Sequence, residues 1–167
     1  MTPLFDGKRA LVTGGGTGIG RAAALALAAQ GCFVTVSGRT EMTLQQTVEL
    51  IEGAGGSAQL VICDVTDKTM VQAAVHAAAG DQGQRHLDVA VNSAGYDGEV
   101  AAPTADWTDD MLDQMLTTNV RGTFLPMKYE LAWMRDQGFS STSDPAPGCS
   151  AFQGTPDTLR PNTPGLV

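Results

Sequence analysis

Apolar residues along the first 137 positions follow two alternating rhythms. Short runs rich in β-branched and small apolar residues predict strands near residues 9–13, 32–37, 58–63 and 87–92. The second of these, Cys32-Phe33-Val34-Thr35-Val36-Ser37, is the richest in strand formers. Apolar positions at helical spacing predict helices from Gly20 to Gln30, Met42 to Gly53 and Lys68 to Gly80, with Gly31 and Gly53 as C-terminal stops. A longer helical segment runs from about Asp109 to Gln137 and breaks near Thr118. Asp106 or Thr108 is placed to cap it, and Asp109 and Asp110 complement its N-terminal dipole. Strand and helix in strict alternation predict an α/β domain over residues 1–137, a doubly wound parallel sheet of about four strands with helices on both faces.

Beyond Gly138 neither rhythm survives. The last 30 residues hold five of the eight prolines, with four glycines, four serines and four threonines. Such a segment buries too little apolar surface to offset the entropy of ordering it, so 138–167 is expected to be an irregular, disordered tail. The whole chain of 167 residues is 43% hydrophobic and 17% charged, which suits one globular domain. Its formal charge of −8 argues against nucleic acid and anionic membrane surfaces as partners. The opening Met1 to Arg9 lacks the long apolar core of a signal peptide, and no apolar run approaches membrane-spanning length. Cys32, Cys63 and Cys149 are widely spaced and odd in number. They are expected to be two buried thiols and a tail thiol in a reducing cytoplasm, with no metal-binding spacing.

Candidate chemistry starts at Thr13-Gly14-Gly15-Gly16-Thr17-Gly18-Ile19-Gly20, between the first strand and the first helix. Strand, glycine turn and helix in that order form a cradle for a dinucleotide pyrophosphate. The turn needs backbone angles that glycine allows at Gly14, and a phosphate can approach the backbone at Gly18. Gly20 lets helix and strand pack closely, and the helix N-terminus supplies unpaired N–H groups and partial positive charge. A glycine pattern alone is weak, because glycine-rich turns are common.

Three further segments join it. Asp64, in Cys63-Asp64-Val65, stands just after the third strand; Asn92-Ser93-Ala94-Gly95 follows the fourth; Thr118-Asn119-Val120-Arg121-Gly122-Thr123-Phe124 lies in the long helical segment. With the loop Thr13 to Gly20 they resemble, in order and spacing, the motifs of the short-chain dehydrogenase/reductase family. The resemblance covers about the first 137 residues and implies a Rossmann-like fold. It implies that Thr13, Gly14, Gly16, Thr17, Gly18, Ile19 and Gly20 serve the pyrophosphate, that Asp64 and the Val65 backbone line an adenine pocket, and that Asn92, Ala94 and Gly95 form a floor beneath the nicotinamide ribose. Read as residues alone, Asp64 could equally cap the helix starting near Asp67, and Asn92 to Gly95 could be a plain turn. The departure from the family pattern is Ser93, where a second asparagine is usual.

Cofactor choice is expected at the end of the second strand, where NAD-binding relatives carry an acid for the ribose 2′-hydroxyl. Here stand Gly38, Arg39 and Thr40. Without the acid a 2′-phosphate is not repelled, and a guanidinium can grip it, so NADP is expected over NAD; the alternative is an ordinary surface arginine. Neither His76 nor His86 suits catalysis: the first lies on a flanking helix and the second at the far end of the sheet. The stretch Met127 to Met134 has helical apolar spacing, and in the family that helix packs on a partner subunit, which makes it a candidate homo-oligomer surface.

The family moves a hydride between the nicotinamide and a carbonyl or alcohol carbon, using a tyrosine, a lysine, a serine and an asparagine that anchors a relay water. Of these, the resemblance assigns only Asn119. The two tyrosines, Tyr96 and Tyr129, have Val100 and Trp133 four residues on, and no lysine follows Lys128. Codons permitted for Asp157 to Pro164, read in a shifted frame, can spell Tyr-Ala-Ala-Ser-Lys-His-Ala, a segment typical of the family. Serine and asparagine codons are likewise permitted across Asp144–Pro145 and Ser141–Thr142. The expectation is therefore a truncated reductase whose residues from about 138 are frameshift-derived, with weak or absent activity and an unidentifiable carbonyl or alcohol substrate. A non-catalytic dinucleotide-binding or dimerising module is the alternative.

Overall fold

The computed structural model describes residues 3–80, 86–98 and 103–137. The expectations for the tail from 138 onward, Cys149 included, lie outside the described residues. The strands are β1 (Arg9–Thr13), β2 (Phe33–Gly38), β3 (Ser57–Ile62) and β4 (Val89–Asn92). The helices are α1 (Gly18–Ala29), α2 (Glu41–Gly53), α3 (Lys68–Ala79), α4 (Asp109–Leu116) and α5 (Gly122–Asp136). All strand pairs are parallel, and the order is β3-β2-β1-β4. This is the parallel sheet that the alternating pattern predicted, in the Rossmann-like arrangement that the resemblance implied.

Alternation along β1 assigns its two faces. Ala10 and Val12, with Val34 and Val36 of β2, pack beneath α1 and α2 through Ala24, Ala28, Leu44, Val48 and Ile51. Leu11 faces the other way, against Val75, Ala78 and Ala79 of α3, with Tyr129, Trp133 and Met134 of α5 beside them. A sheet buried on both faces explains why these strands are almost continuously apolar. One polar tie crosses the α3 face: Gln59 Nε2 donates to Thr35 Oγ1 and to the Ala77 carbonyl, each at 2.9 Å.

Element ends differ from expectation in instructive ways. Gly53 lies inside the last turn of α2, and the left-handed stop falls at Gly55, with φ +84°. Gly31, at φ +85°, does end α1. The cap of α3 is Asp67, which accepts from the Thr69 and Met70 amides, so Asp64 does not serve there. Thr108 caps α4 by accepting from Met111 N–H, while Asp106 closes a short 3-10 turn. The break expected near Thr118 is a π-helical turn, Thr117–Arg121. Gly122, which follows it, sits where a Cβ would come within 2.7 Å of Val65 Cγ2.

Candidate functional site

Parallel order reverses at β1, whose neighbours β2 and β4 lead away in opposite directions, and the crevice beyond such a reversal is where ligands bind in open α/β sheets. A cleft of about 510 Å³ opens there. Its first wall is the glycine loop: Gly14, Gly16, Thr17, Gly18 and Ile19. Gly14 has φ +66° and lies so close to the β4 exit that a Cβ would meet the Ala94 nitrogen at 2.8 Å. Gly20 does not line the cleft. A Cβ on it would run into the Gly14 carbonyl, so its part is the close packing of α1 on the loop.

The loop is braced from outside. Arg21 donates through Nε to Thr47 Oγ1 at 3.0 Å, through Nη2 to the Thr43 carbonyl at 3.2 Å, and also to the Gly16 carbonyl. Thr47 Oγ1 in turn donates to the Gly15 carbonyl at 3.0 Å. Arg21 therefore ties the loop to α2 instead of entering the cleft. Nothing in the sequence pattern separates it from an ordinary first-turn arginine.

The second wall comes from the end of β2 and the start of α2: Gly38, Arg39, Thr40, Thr43 and Leu44. Cys63, Asp64 and Val65 follow from the end of β3. Asp64 Oδ1 accepts from the Thr66 amide at 2.9 Å and the Thr66 hydroxyl at 2.8 Å. Those donors hold its carboxyl below the ordinary carboxylate range; burial opposes them, and the Arg39 charge assists. Burial pushes the Cys63 thiol up to about 11, with Asp64 adding to the rise, which leaves it a neutral wall residue.

Ser93, Ala94 and Gly95 form the floor, and Thr118 closes the far side. Two other predicted site residues stand behind that floor. Thr13 is buried, and its hydroxyl accepts from the Ala94 amide at 3.3 Å. The Asn92 side chain turns inward, away from the cleft, donating through Nδ2 to Glu130 Oε2 at 2.7 Å. Asn119 stands beside the Ser93–Asp97 segment, and both ends of its amide are engaged by Tyr96. Its Oδ1 accepts from Tyr96 N–H and its Nδ2 donates to the Tyr96 carbonyl, each at 2.7 Å. The Asn119 carbonyl, inside the π turn, accepts from Thr123 Oγ1 at 2.8 Å. Among the described residues no group of three or more His, Cys, Asp or Glu is placed to hold a metal ion, and no helix is long and apolar enough to cross a membrane. His86 lies at the opposite end of the sheet, 3.2 Å from Asp88, and His76 packs edge-on against Trp133.

Known proteins share this arrangement. The short chain dehydrogenase family profile matches residues 8–141. Over 135 residues, 80% of this chain, the sequence is 37% identical to 50% of a Mycobacterium tuberculosis reductase of a hydroxy-methyl-oxo-hexahydroindene-carboxyl-CoA. A 3-ketoacyl-ACP reductase from Sinorhizobium meliloti superposes with a TM-score of 0.69 at 40% identity, covering 77% of this chain and 49% of that one. An actinorhodin polyketide ketoreductase solved with NADPH gives a TM-score of 0.70 at 32% identity, covering 78% of this chain and 49% of its own. The chain thus spans about half the length of the curated relatives it matches. With sheet order, cleft and sequence in agreement, this chain belongs to the short-chain dehydrogenase/reductase family, corresponding to its N-terminal cofactor-binding half.

Proposed function

We propose that this chain is the cofactor-holding half of an NADP-dependent oxidoreductase, one that moves a hydride between the nicotinamide and the carbonyl or alcohol carbon of a small substrate. The observation that carries the reading is the wall at the end of β2. Gly38 places no anion there, and Arg39 stands exposed beside it on the same wall as Thr40. A 2′-phosphate meets a guanidinium and no carboxylate from that strand end.

The remaining wall fits the same cofactor. The N-terminus of α1 has no side-chain cap and no acid in its first turn. Its unpaired N–H groups and positive dipole end therefore suit a pyrophosphate. Gly18, at φ +51°, has open space where a Cβ would stand, leaving the backbone approachable. Asp64 and Val65 would line the adenine, and Ala94 and Gly95 the nicotinamide ribose. The bound cofactor supplies the hydride chemistry; the chain's residues bind and orient it. In this reading Asn119 acts on the floor, because its amide holds the main chain at Tyr96.

The chain contains no Tyr-x-x-x-Lys. Calorimetric titration is expected to show NADPH binding more tightly than NADH, with no NADPH oxidation above background across a panel of ketones. Arg39→Ala is expected to weaken NADPH about tenfold and to leave NADH within about twofold, the loss of one charge-assisted contact. Equal affinity for both nucleotides would overturn the NADP reading. NADPH oxidation above background would overturn the expectation that the 167-residue chain alone is inactive.

A second reading, a dimerising module, has its own observation. Leu112, Leu116, Val120, Phe124 and Leu131 form an exposed apolar row along α4, the π turn and α5. Monomeric proteins seldom leave such a row uncovered. Sedimentation of the 167-residue chain is expected to give a dimer that Phe124→Glu splits, with NADPH affinity unchanged. A monomeric parent chain ends this reading.

A further inference from the structure

The buried carboxyl of Glu130 has no place in the cofactor wall, yet it connects to it. Glu130 lies on α5 and is 2% exposed, and its Oε1 is sealed from solvent with no donor among the described residues. Its Oε2 accepts from Asn92 Nδ2 at 2.7 Å. Asn92 Oδ1 accepts from the Thr13 hydroxyl at 3.4 Å, and Thr13 Oγ1 accepts from the Ala94 amide at 3.3 Å. Ala94 is part of the cleft floor, pressed against Gly14. A continuous line of hydrogen bonds thus runs from the middle of α5, across the ends of β4 and β1, to the floor.

Donor count gives the line a direction. Oε2 accepts from Asn92 Nδ2 whether Glu130 is ionised or carries a proton on the sealed Oε1, the form that burial favours by raising its pKa. This turns the Asn92 amide so that Nδ2 faces Glu130 and Oδ1 faces Thr13. Thr13 then spends its proton on Asn92 and offers a lone pair to Ala94. Remove that Oε2 acceptor and the set is one acceptor short. Either Asn92 Nδ2 is left without a partner, or the amide turns over and the Thr13 proton is. A buried donor without a partner is relieved by local opening to water. The same α5 and its π turn also hold the floor at its other end, through Asn119 on Tyr96.

We infer that Glu130 is a positioning residue for the cofactor cleft, orienting Asn92 and through Thr13 fixing the main chain at Ala94. Its effect on nucleotide affinity rests on the NADP reading above; its effect on Ala94 does not.

Amide hydrogen exchange by NMR on the full chain tests it without ligand. Glu130→Leu is expected to speed exchange at Ala94 at least about tenfold while amides in the β1–β2 ladder keep their wild-type rates. Glu130→Gln, which can still present an oxygen to Asn92, is expected to restore protection. Thr13→Val, which interrupts the line near the floor and keeps the side-chain shape, is expected to reproduce the Ala94 effect, and it decides the matter if Glu130→Leu does not fold. Unchanged Ala94 protection in a folded Glu130→Leu or Thr13→Val chain overturns the inference. So does Glu130→Gln behaving like Glu130→Leu. NADPH titration of the same samples is expected to show about tenfold weaker binding for Glu130→Leu and near wild-type binding for Glu130→Gln. If the parent chain binds no NADPH, the functional reading fails, while the exchange data still decide the relay.

Discussion

Gly20→Ala is expected to lower the melting temperature of this chain sharply and to abolish NADPH binding. A Cβ at that position meets the carbonyl of Gly14, with the Gly14 carbonyl carbon at 2.7 Å and the Gly15 nitrogen at 3.1 Å. All three are backbone atoms, so no side chain can rotate away. Relief requires α1 to lift from the loop. That movement separates α1 from Val12 and Val36, through Ala24 and Ala28, and displaces the glycine wall of the cleft. Overpacking typically costs about 1–3 kcal/mol, and a clash against backbone belongs at the upper end. For a chain of this size about 3 kcal/mol corresponds to a fall of roughly 6–12 °C. Gly53→Ala is the control. It sits in the last turn of α2 with nothing within 4 Å of an added Cβ, and it should stabilise by about 0.4–1 kcal/mol. Circular-dichroism melts of the two variants check the contrast, and a Gly20→Ala melt within about 2 °C of wild type would falsify it.

Most of the fold was legible because the sheet is parallel and buried on both faces. Strands of that kind read as short apolar runs, and helices between them show one apolar face. The cleft's glycine wall was legible for a related reason, since helix-to-loop packing at Gly20 and the turn at Gly14 admit no other residue. Legibility ended where a side chain's direction decided the matter. Asn92 and Ser93 are adjacent and both polar, yet Ser93 lines the cleft and Asn92 turns behind it, because the pleat sends neighbours to opposite sides.

Glu130 gave no signal either. Met127 to Met134 reads only as a helix with apolar spacing, with no role for Glu130. The structure divides that stretch differently: Tyr129, Trp133 and Met134 pack inward beside α3, Met127 and Leu131 stay exposed, and Glu130 is buried. A partner from another element, Asn92, satisfies one oxygen of this buried carboxyl, and no local pattern announces a partner 38 positions away. Asp64 shows the intermediate case. Sequence offered a helix cap or a cleft residue; the cap went to Asp67, three positions on, and Asp64 took the cleft wall.

Gly38→Asp is expected to reverse the nucleotide preference from NADPH to NADH. The side chain fits: an added Cβ makes only ordinary contact with Leu44 Cδ2, at 3.5 Å, and the backbone there is that of a paired strand, in register with Ile62. The substitution therefore tests charge and hydrogen bonding without a folding penalty of the Gly20 kind. A carboxylate at the end of β2 can accept from a ribose 2′-hydroxyl, the interaction that selects NAD in dinucleotide folds. Against a 2′-phosphate it repels. Two like unit charges about 4 Å apart in a medium of effective dielectric about 20 repel by about 4 kcal/mol, which before screening exceeds the roughly 2.7 kcal/mol of a hundredfold change. Arg39 remains and offsets part of the repulsion, which sets the expected loss of NADPH affinity at about thirtyfold and the gain for NADH at a few fold. Gly38→Asn separates the two contributions, because it keeps the shape and a hydrogen-bonding oxygen but carries no charge. Parallel calorimetric titrations of both nucleotides should therefore place Gly38→Asn between wild type and Gly38→Asp. If Gly38→Asp leaves the ratio of the two affinities unchanged, the end of β2 does not face the ribose, and the assignment of Arg39 to a 2′-phosphate falls with it.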